Sequence, residues 1–335
     1  MARAYPDAPV YTALYDPTQT GDLVSQDRVR TSYLAHLPGV NRYFRYLAPL
    51  YPRAFEAFDL SAYDTIVSST TAWAKGVCVR PGATHVCYIN TVSRFAFAFD
   101  RYVGGFRMGA LARPIVSRLN RWDHIAAQRP TLFIANSQNV ARRVREYYGR
   151  ESQVLHCPVD VDRFPVGAGA GDYFFVASRL LAYKRIDLAI RAAQLARVPL
   201  YVAGTGPAFD ALQALCSGTT TTMLGYVPDG EIARWLGDAR AAVLPGEEDF
   251  GLVPLEAAAS GRPTIAFRGG GALETIVEGK TGEFFDEQSP EALASVLRHF
   301  DASRYDAHVL RAHAEQFSPE RFIVRLRQLV EQARQ

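Results

Sequence analysis

The second half of the chain alternates short apolar runs with amphipathic stretches. Residues 173–177 and 199–203 have the uninterrupted apolar character of buried strands, and residues 186–196 between them have helical spacing. The same alternation continues over residues 221–224, 229–239, 241–244, 253–260, 264–267 and 271–277. Strands that alternate with helices are typical of a parallel sheet. We therefore predict a doubly wound α/β domain over residues 161–318, and an amphipathic helix over residues 319–335 that packs back on the first domain.

The first half carries strand-like runs in a less regular pattern. Residues 65–67, 85–89 and 131–135 are short and apolar, and each precedes a polar or glycine-containing turn. The length of 335 residues also favours two domains, because a domain typically takes ~100–200 residues. We predict a Rossmann-like α/β domain over residues 1–160.

Composition excludes several classes of protein. A chain that is 48% hydrophobic and 21% charged is not disordered, and a net charge of +3 does not favour a general nucleic-acid binder. No run approaches the ~20 apolar residues of a membrane-spanning helix, and the start lacks a secretion signal. The four cysteines are too widely spaced for a zinc site or a disulfide framework. We expect a cytoplasmic protein.

Basic residues are unevenly distributed. Arginine dominates them, since Lys75, Lys184 and Lys280 are the only lysines. Residues 94–122 combine aromatic side chains with six arginines and one acid, and residues 28–53 are similarly aromatic and basic. Such segments could lie against the anionic inner face of the cell membrane, where a lipid-linked acceptor would be held. The alternative is that they form the wall of an interdomain or acceptor groove.

Residues 245–266 contain the most informative motif. The predicted strand before them ends at Leu244, a loop carries Glu248, and a helix is expected to open near Gly251 with Glu256 one turn farther in. Amides at a helix N-terminus attract anions, and ligands of open α/β sheets bind beyond the carboxyl ends of strands. The motif predicts a ligand site, although acids near a helix start can also simply complement its dipole.

This motif resembles the signature of the retaining glycosyltransferases of family four. The match is Glu248, seven residues and Glu256, with Phe250, Gly251 and Leu252 between the two acids. The resemblance extends over nearly the whole chain and points to the bacterial mannosyltransferase-like branch. It implies the two-domain GT-B fold, a nucleotide-diphosphate sugar as donor substrate, and no metal or other cofactor. It places Glu248 beside the hexose and Glu256 at the ribose.

The resemblance also implies residues that hold the donor diphosphate. The segment ASRLLAYKRIDLAIRA is similar to a family segment in which an arginine and a lysine bind it, which indicates Arg179 and Lys184. A guanidinium fork and a compact ammonium together stabilise a leaving diphosphate without a metal. The alternative for either residue alone is an ordinary surface cation.

Two further segments resemble the nucleotide side of the family's site. Gly204 and Gly206 belong to a glycine turn that lets the backbone approach the nucleotide, and they lack the third glycine of a dinucleotide fingerprint. Tyr226 and Val227 correspond to positions beside the base. Ordinary packing is the alternative for these last two side chains.

In the first half, FIANSQNVARRVREYYG resembles a family segment that places Asn136 and Ser137 at the cleft, although Ser137 would serve equally as a helix N-cap. Asn90 stands where relatives commonly carry a histidine that approaches the hexose. An asparagine can keep hydrogen bonds but cannot shuttle a proton. Arg94, in the same loop, either approaches acceptor or phosphate or is simply solvated.

The resemblance has a gap at the start of the chain. The family opens with a strand, a glycine-rich loop and a helix, and residues 1–11 already resemble the segment after that helix. A missing strand in the middle of a sheet would leave unpaired edges and apolar surface. We therefore expect an incomplete N-terminal domain.

The resemblance implies a retaining transfer of a hexose to a glycan or lipid-linked acceptor, with GDP-mannose as the favoured donor. One alternative is a catalytically impaired subunit that binds sugar nucleotides and needs a partner, motivated by Asn90 and by the gap at the start. Another is a GT-B sugar-nucleotide epimerase, which the paired acids and the arginine and lysine disfavour.

Overall fold

The computed structural model describes residues 1–20, 24–93, 109–169 and 171–335. The chain divides into two compact units, one of Met1–Leu155 with Ile323–Gln335 and one of His156–Phe322. Arg94 and residues 95–108 of the aromatic and basic segment lie outside the described residues.

The first unit contains a four-stranded and a two-stranded sheet, both parallel. The strands are β1 (Val10–Thr12), β2 (Val29–Thr31), β3 (Thr65–Thr70), β4 (Thr84–Ile89), β5 (Leu132–Ala135) and β6 (Ser152–Val154). The helices are α1 (Pro17–Thr20), α2 (Val40–Tyr43), α3 (Tyr51–Glu56), α4 (Gly109–Ala126) and α5 (Gln138–Tyr148). The larger sheet has the order β3-β4-β5-β6, and β1 pairs with β2.

The two sheets of the first unit border one apolar cavity of about 450 Å³. Its lining includes residues 10–12 of β1, residues 65–69 of β3, and the side chains of Phe55, Phe58 and Leu60. Each of the two strands has a partner on one edge, and no strand of the described ranges pairs with its other edge. An apolar space therefore lies where two parallel sheets present their edges.

The second unit contains a six-stranded parallel sheet. Its strands are β7 (Phe174–Ala177), β8 (Leu200–Ala203), β9 (Thr221–Gly225), β10 (Ala241–Leu244), β11 (Thr264–Phe267) and β12 (Gly282–Phe285). Its helices are α6 (Ile186–Ala196), α7 (Phe209–Leu215), α8 (Asp229–Gly237), α9 (Val253–Ala259), α10 (Ala272–Thr275), α11 (Pro290–His299) and α12 (Ala307–Glu315). A final helix, α13 (Pro319–Arg334), runs from the second unit into the residues grouped with the first.

The strand order of the second unit is β12-β11-β10-β7-β8-β9. Every neighbouring pair is parallel, as the alternating pattern predicts. The apolar runs become central strands because helices cover both faces of such a sheet. The structure differs from the pattern in two ways. α10 is only four residues long, because Ile276 is already extended, and the pattern did not assign α7, α11, α12 or β12.

Candidate functional site

The direction of the strand order in the second unit changes between β7 and β10. Successive strands β7, β8 and β9 are added on one side of this point, and β10, β11 and β12 on the other. The loops that follow β7 and β10 therefore leave the sheet in opposite directions and open a crevice, which is where ligands of doubly wound sheets bind. The candidate residues of this unit belong to these loops and to those after β8 and β9.

Lys184 and Glu248 meet in this crevice. Lys184 ends the short 3-10 turn Ala182–Lys184 after β7, and Glu248 lies in the loop after β10. Lys184 Nζ donates a hydrogen bond to Glu248 Oε1, and the two side chains are 14% and 13% exposed. Residues 64 positions apart in the sequence thus form one partly buried ion pair. Their predicted roles at the diphosphate and the hexose stay predictions.

Gly246 allows this approach. A Cβ atom at this position would lie 2.8 Å from the carbonyl oxygen of Lys184 and 2.9 Å from that of Tyr183. Any larger residue would push the loop after β10 away from the turn that carries Lys184. The sequence analysis did not single out Gly246, although a glycine directly before the acidic loop is a visible signal for close backbone contact.

Gly204 and Gly206 lie in the loop after β8 and press against the loop after β7. Their φ angles are 141° and 157°, and a Cβ atom would lie 1.8 Å from the Ser178 carbonyl oxygen and 2.4 Å from that of Leu180, respectively. These close contacts explain why both positions require glycine. The resemblance implied a different reason, the approach of the backbone to a nucleotide. The two glycines are needed for contact between two protein loops, and their predicted approach to a nucleotide stays a prediction.

Arg179, Tyr226 and Val227 differ in their surroundings. Arg179 is exposed just after β7, and its guanidinium forms no hydrogen bond or ion pair within the described ranges. Tyr226 follows β9 and is 76% exposed. Val227 is half-buried and packs against the core of the unit, as the alternative of ordinary packing requires. Arg179 and Tyr226 are therefore the two side chains of this set that can meet a ligand directly.

The helix after the acidic loop begins at Val253, as the pattern over residues 253–260 predicts, and so two residues after Gly251, near which the motif indicates its opening. α9 starts at Val253, Leu252 is its N-cap residue, and Gly251 has a φ of 85° that favours glycine. Pro254 in the first turn has no backbone N–H, so the helix start offers fewer amides to an anion than expected. The amides of Gly251 and Leu252 precede the helix rather than opening it.

Phe250 supports this loop from the core. Its side chain is 3% exposed and stacks on His156 with ring centroids 5.4 Å apart, while His156 Nε2 lies 2.9 Å from Glu274 Oε2. Only the backbone of Phe250 can therefore face a ligand. Gly271 N–H donates to the Glu248 carbonyl at 2.9 Å, so α10 also supports the acidic loop. The motifs of the sequence do not predict these supporting roles of His156, Glu274 and Gly271.

Glu256 is a half-buried residue inside α9. Its pKa is raised to about 7, chiefly by burial, while Arg163 lowers it and Asp229 raises it by smaller amounts. In the part of the chain that the structure describes, no side chain or backbone group forms a hydrogen bond or ion pair with this carboxyl group. A carboxyl group whose pKa is near 7 can accept or donate hydrogen bonds at neutral pH. Such a group is suited to binding a vicinal diol.

The candidate residues of the first unit follow β4 and β5. Asn90 Nδ2 lies 3.3 Å from both Ser69 Oγ and the Thr70 carbonyl oxygen, and Asn136 Nδ2 donates to the Asn90 carbonyl at 3.0 Å. Ser137 Oγ accepts from the Val140 N–H at 3.0 Å and caps α5. The structure therefore brings Asn90 and Asn136 together and gives Ser137 the capping role of the alternative.

Neither a metal-binding cluster nor a membrane-spanning helix is present among the residues that the structure describes. Over residues 1–20, 24–93, 109–169 and 171–335, no group of three or more His, Cys, Asp or Glu side chains could hold a metal ion. None of the helices in these ranges is both long enough and apolar enough to cross a membrane.

Comparison with known proteins identifies the second unit. Residues 160–317 match the family described as "Glycosyl transferases group 1". These residues form a glycosyltransferase group 1 domain. The crevice with Lys184, Glu248 and Glu256 lies inside this glycosyltransferase domain.

Similar sequences extend the match toward the first unit. A GDP-mannose-dependent alpha-(1-6)-phosphatidylinositol monomannoside mannosyltransferase of Mycolicibacterium smegmatis is 29% identical over 253 residues, which cover 62% of this chain and 66% of the relative. A D-inositol 3-phosphate glycosyltransferase of Geodermatophilus obscurus is 30% identical over 224 residues, which cover 57% of this chain and 50% of the relative. The matches thus span between half and two thirds of these relatives.

Solved structures match nearly the whole chain. Anabaena Alr3699/HepE in complex with UDP aligns with a TM-score of 0.67 and 17% identity, over 99% of this chain and 94% of that one. Sucrose-phosphate synthase from Thermosynechococcus elongatus aligns with a TM-score of 0.68 and 18% identity, over 92% and 84%. The α/β GT-B glycosyltransferase fold that the resemblance implies is confirmed.

The glycosyltransferase domain should become more stable when Glu256 loses its charge. The pKa of Glu256 is about 7 in the folded chain against 4.5 for an unperturbed Glu, so stability falls as the pH rises from 4.5 to 7. We expect Glu256→Gln to raise the free energy of unfolding at pH 8 by roughly 2–3 kcal/mol and to leave it unchanged at pH 4. Urea denaturation at both pH values tests this. An equal effect at pH 4 and pH 8 would contradict the titration.

Gly204 offers a test of the loop contacts. Because a Cβ atom there would overlap the Ser178 carbonyl oxygen, we expect Gly204→Ala to lower the free energy of unfolding by more than ~3 kcal/mol. Gly218 is a matched control, since its φ is 72° and nothing lies within 4 Å of a Cβ atom. Gly218→Ala should cost about 1 kcal/mol. Similar losses in the two variants would show that the loop contact is unimportant.

Proposed function

We propose that this chain is a retaining hexosyltransferase that transfers a hexose from a nucleoside diphosphate sugar to a glycan or lipid-linked acceptor without a metal. The observation that carries the proposal is the ion pair of Lys184 with Glu248 at the switch point of the sheet, with Glu256 following on α9. It supports the proposal because one cation and two acids follow neighbouring strands of the sheet, and the phosphates and hydroxyls of a donor need such partners.

The donor diphosphate is assigned to Arg179 and Lys184. Arg179 is exposed and lies five residues before Lys184 in the sequence. Its planar guanidinium group is suited to binding two phosphate oxygens at once. A diphosphate gives Lys184 a second anionic partner, and Glu248 can then accept hydrogen bonds from the hexose hydroxyls. The backbone amides of Gly251 and Leu252 add two neutral donors.

The nucleoside is assigned to Glu256 and Tyr226. The buried Glu256 carboxyl is suited to the ribose diol, and the exposed Tyr226 ring offers a face for the base. The mannosyltransferase of Mycolicibacterium smegmatis is named for GDP-mannose, which supports mannose from GDP-mannose as the first donor to test. The HepE structure holds UDP, so UDP-sugars are the first alternative.

The proposed reaction proceeds on one face of the sugar. The bond from the anomeric carbon to the phosphate oxygen breaks, and its electron pair remains on the diphosphate. The acceptor hydroxyl attacks from the same side, and its proton passes to the departing phosphate oxygen. Catalysis then rests on positioning and on stabilising negative charge, for which Arg179 and Lys184 are placed.

On the acceptor side we propose Asn90, with Asn136 holding its carbonyl and with Arg94 in the following segment. An asparagine cannot shuttle a proton, and none is needed when the leaving phosphate accepts it. The alternative is a catalytically impaired subunit that binds sugar nucleotides, which is favoured by Asn90 and by the cavity between the sheets of the first unit. Donor binding without transfer would support this alternative.

We also propose that the first unit contacts an anionic membrane surface that holds the acceptor. Exposed large apolar side chains concentrate in residues 33–50, namely Tyr33, Leu37, Tyr43, Phe44, Tyr46 and Leu50. Aromatic side chains with nearby basic residues are suited to a headgroup layer. We expect the chain to float with liposomes that contain anionic lipid and not with neutral ones. Flotation that does not depend on anionic lipid would count against this contact.

Removal of the Lys184 charge should abolish donor binding. We expect GDP-mannose to raise the melting temperature of the wild-type chain and not that of Lys184→Ala. We also expect turnover to fall on the order of a hundredfold, because one partner of the developing diphosphate charge is lost. Melting temperatures without ligand, and a parallel panel of UDP- and ADP-sugars, separate folding from binding and identify the base.

The matched control for this prediction is Lys280→Ala. Lys280 is exposed in the turn after α10, and its removal deletes the same charge from the same unit. It should leave donor binding and turnover unchanged. Unchanged turnover in Lys184→Ala would remove Lys184 from the proposed mechanism.

A further inference from the structure

A fully buried ion pair lies in the first unit. Lys75 belongs to the turn Ala74–Gly76 after β3, and Asp123 lies in the last turn of α4. Lys75 Nζ and Asp123 Oδ1 are 2.5 Å apart, and the two side chains are 1% and 0% exposed. The attraction of a buried pair often fails to offset the desolvation of both charges, so such a pair is weak evidence for stability. The contacts of the pair indicate a role other than stability.

The aromatic rings around Lys75 take the place of water. Its ammonium group lies 5.8 Å from the centroid of the Trp122 ring and 5.5 Å from that of Tyr148. Burial lowers the pKa of Lys75, and the neighbouring Asp123 opposes that shift. The charge is therefore held by directed contacts on several sides, and these fix its position.

The pair is bonded to the loop that follows β4. Ser93 Oγ lies 3.1 Å from Lys75 Nζ, which donates to it, and 2.5 Å from Asp123 Oδ1, to which it donates. The backbone N–H of Ser93 donates to the Tyr148 hydroxyl at 3.2 Å, and this hydroxyl donates to Asp123 Oδ2 at 2.8 Å. Both the side chain and the backbone of Ser93 are thus held by the buried pair and its neighbour.

The other end of the same loop is held at Asn90. The Asn90 N–H donates to the Thr70 carbonyl at 2.9 Å, and Thr70 Oγ1 accepts from the N–H groups of Ala72 and Ala74. Lys75 Nζ also donates to the Ala72 carbonyl. The turn after β3 and the loop after β4 are therefore joined at two points.

We propose that the Lys75–Asp123 pair is a positioning device that fixes residues 90–93 for sugar transfer. The inference rests on the proposed function, which places Asn90 on the acceptor side. Charge-assisted hydrogen bonds are directional, and two apolar side chains of similar volume would fill the core without orienting Ser93. Lys75, Asp123 and Ser93 act through the loop and do not touch the substrate.

Ser93→Ala is the most direct test. It removes the hydroxyl that joins the pair to the loop and leaves Lys75 and Asp123 bonded to each other. Because Ser93 is buried and its hydroxyl bonds both charged groups, we expect the melting temperature to fall by a few degrees in a chain that still folds. We expect the KM for donor to stay unchanged, while kcat for transfer falls roughly tenfold to a hundredfold. Hydrogen–deuterium exchange of the amides of residues 90–93 should become faster, and that of residues 86–89 in β4 should not.

A double variant, Lys75→Met with Asp123→Leu, removes both charges and keeps the volume. Replacement of a buried ion pair by apolar residues is often neutral for stability, so this variant should fold. We expect the same loss of kcat and the same faster exchange of residues 90–93. Arg80→Met with Asp64→Leu is the matched control, because that ion pair of the same unit is 44% and 73% exposed. It should change neither quantity.

The two readouts separate this inference from the proposed function. Wild-type kcat in folded Ser93→Ala would overturn the positioning role, whether or not the exchange of residues 90–93 changes. If the wild-type chain transfers no sugar from any donor, the proposed function fails. The exchange measurement then decides alone: faster exchange of residues 90–93 supports a loop held by the pair, and unchanged exchange overturns it.

Discussion

The close approach of the loops after β7, β8 and β10 is the constraint on which the candidate donor site depends. It requires Gly204, Gly206 and Gly246, whose missing side chains let each backbone touch its neighbour. Only with these loops in contact can Lys184 reach Glu248 from a different strand. The site is therefore a property of parallel strands that end at the same edge of the sheet, and its charges are placed by backbone packing.

The helix that follows the loop after β10 carries a charged group that lowers stability at neutral pH. The pKa of Glu256 is raised because the carboxyl is buried, which means that its ionised form costs free energy at neutral pH. A retained cost of this kind is expected at a site that binds a ligand. Phe250, in the same motif, is instead buried and stacks on His156. Different positions of one motif therefore have different roles.

The two units fix their loops by different means. In the second unit, glycine backbones lie against carbonyl groups. In the first unit, polar side chains join the loops: Asn136 holds the Asn90 carbonyl, and Lys75 with Asp123 holds Ser93. Both arrangements order the loops at the carboxyl ends of parallel strands. In a reaction that depends on positioning, a small displacement of these loops lowers the rate most.

By itself the sequence determined the alternation of strands and helices over residues 173–277 and the spacing of Glu248 and Glu256, because both are local patterns of apolar and charged positions. It also predicted the start of α9 at Val253, and the left-handed turn at Gly251 directly precedes the N-cap residue of this helix. Only the tertiary structure decided that Lys184 pairs with Glu248 and Lys75 with Asp123. Such partners are far apart along the chain, and nothing but the packing of strands and helices brings them together.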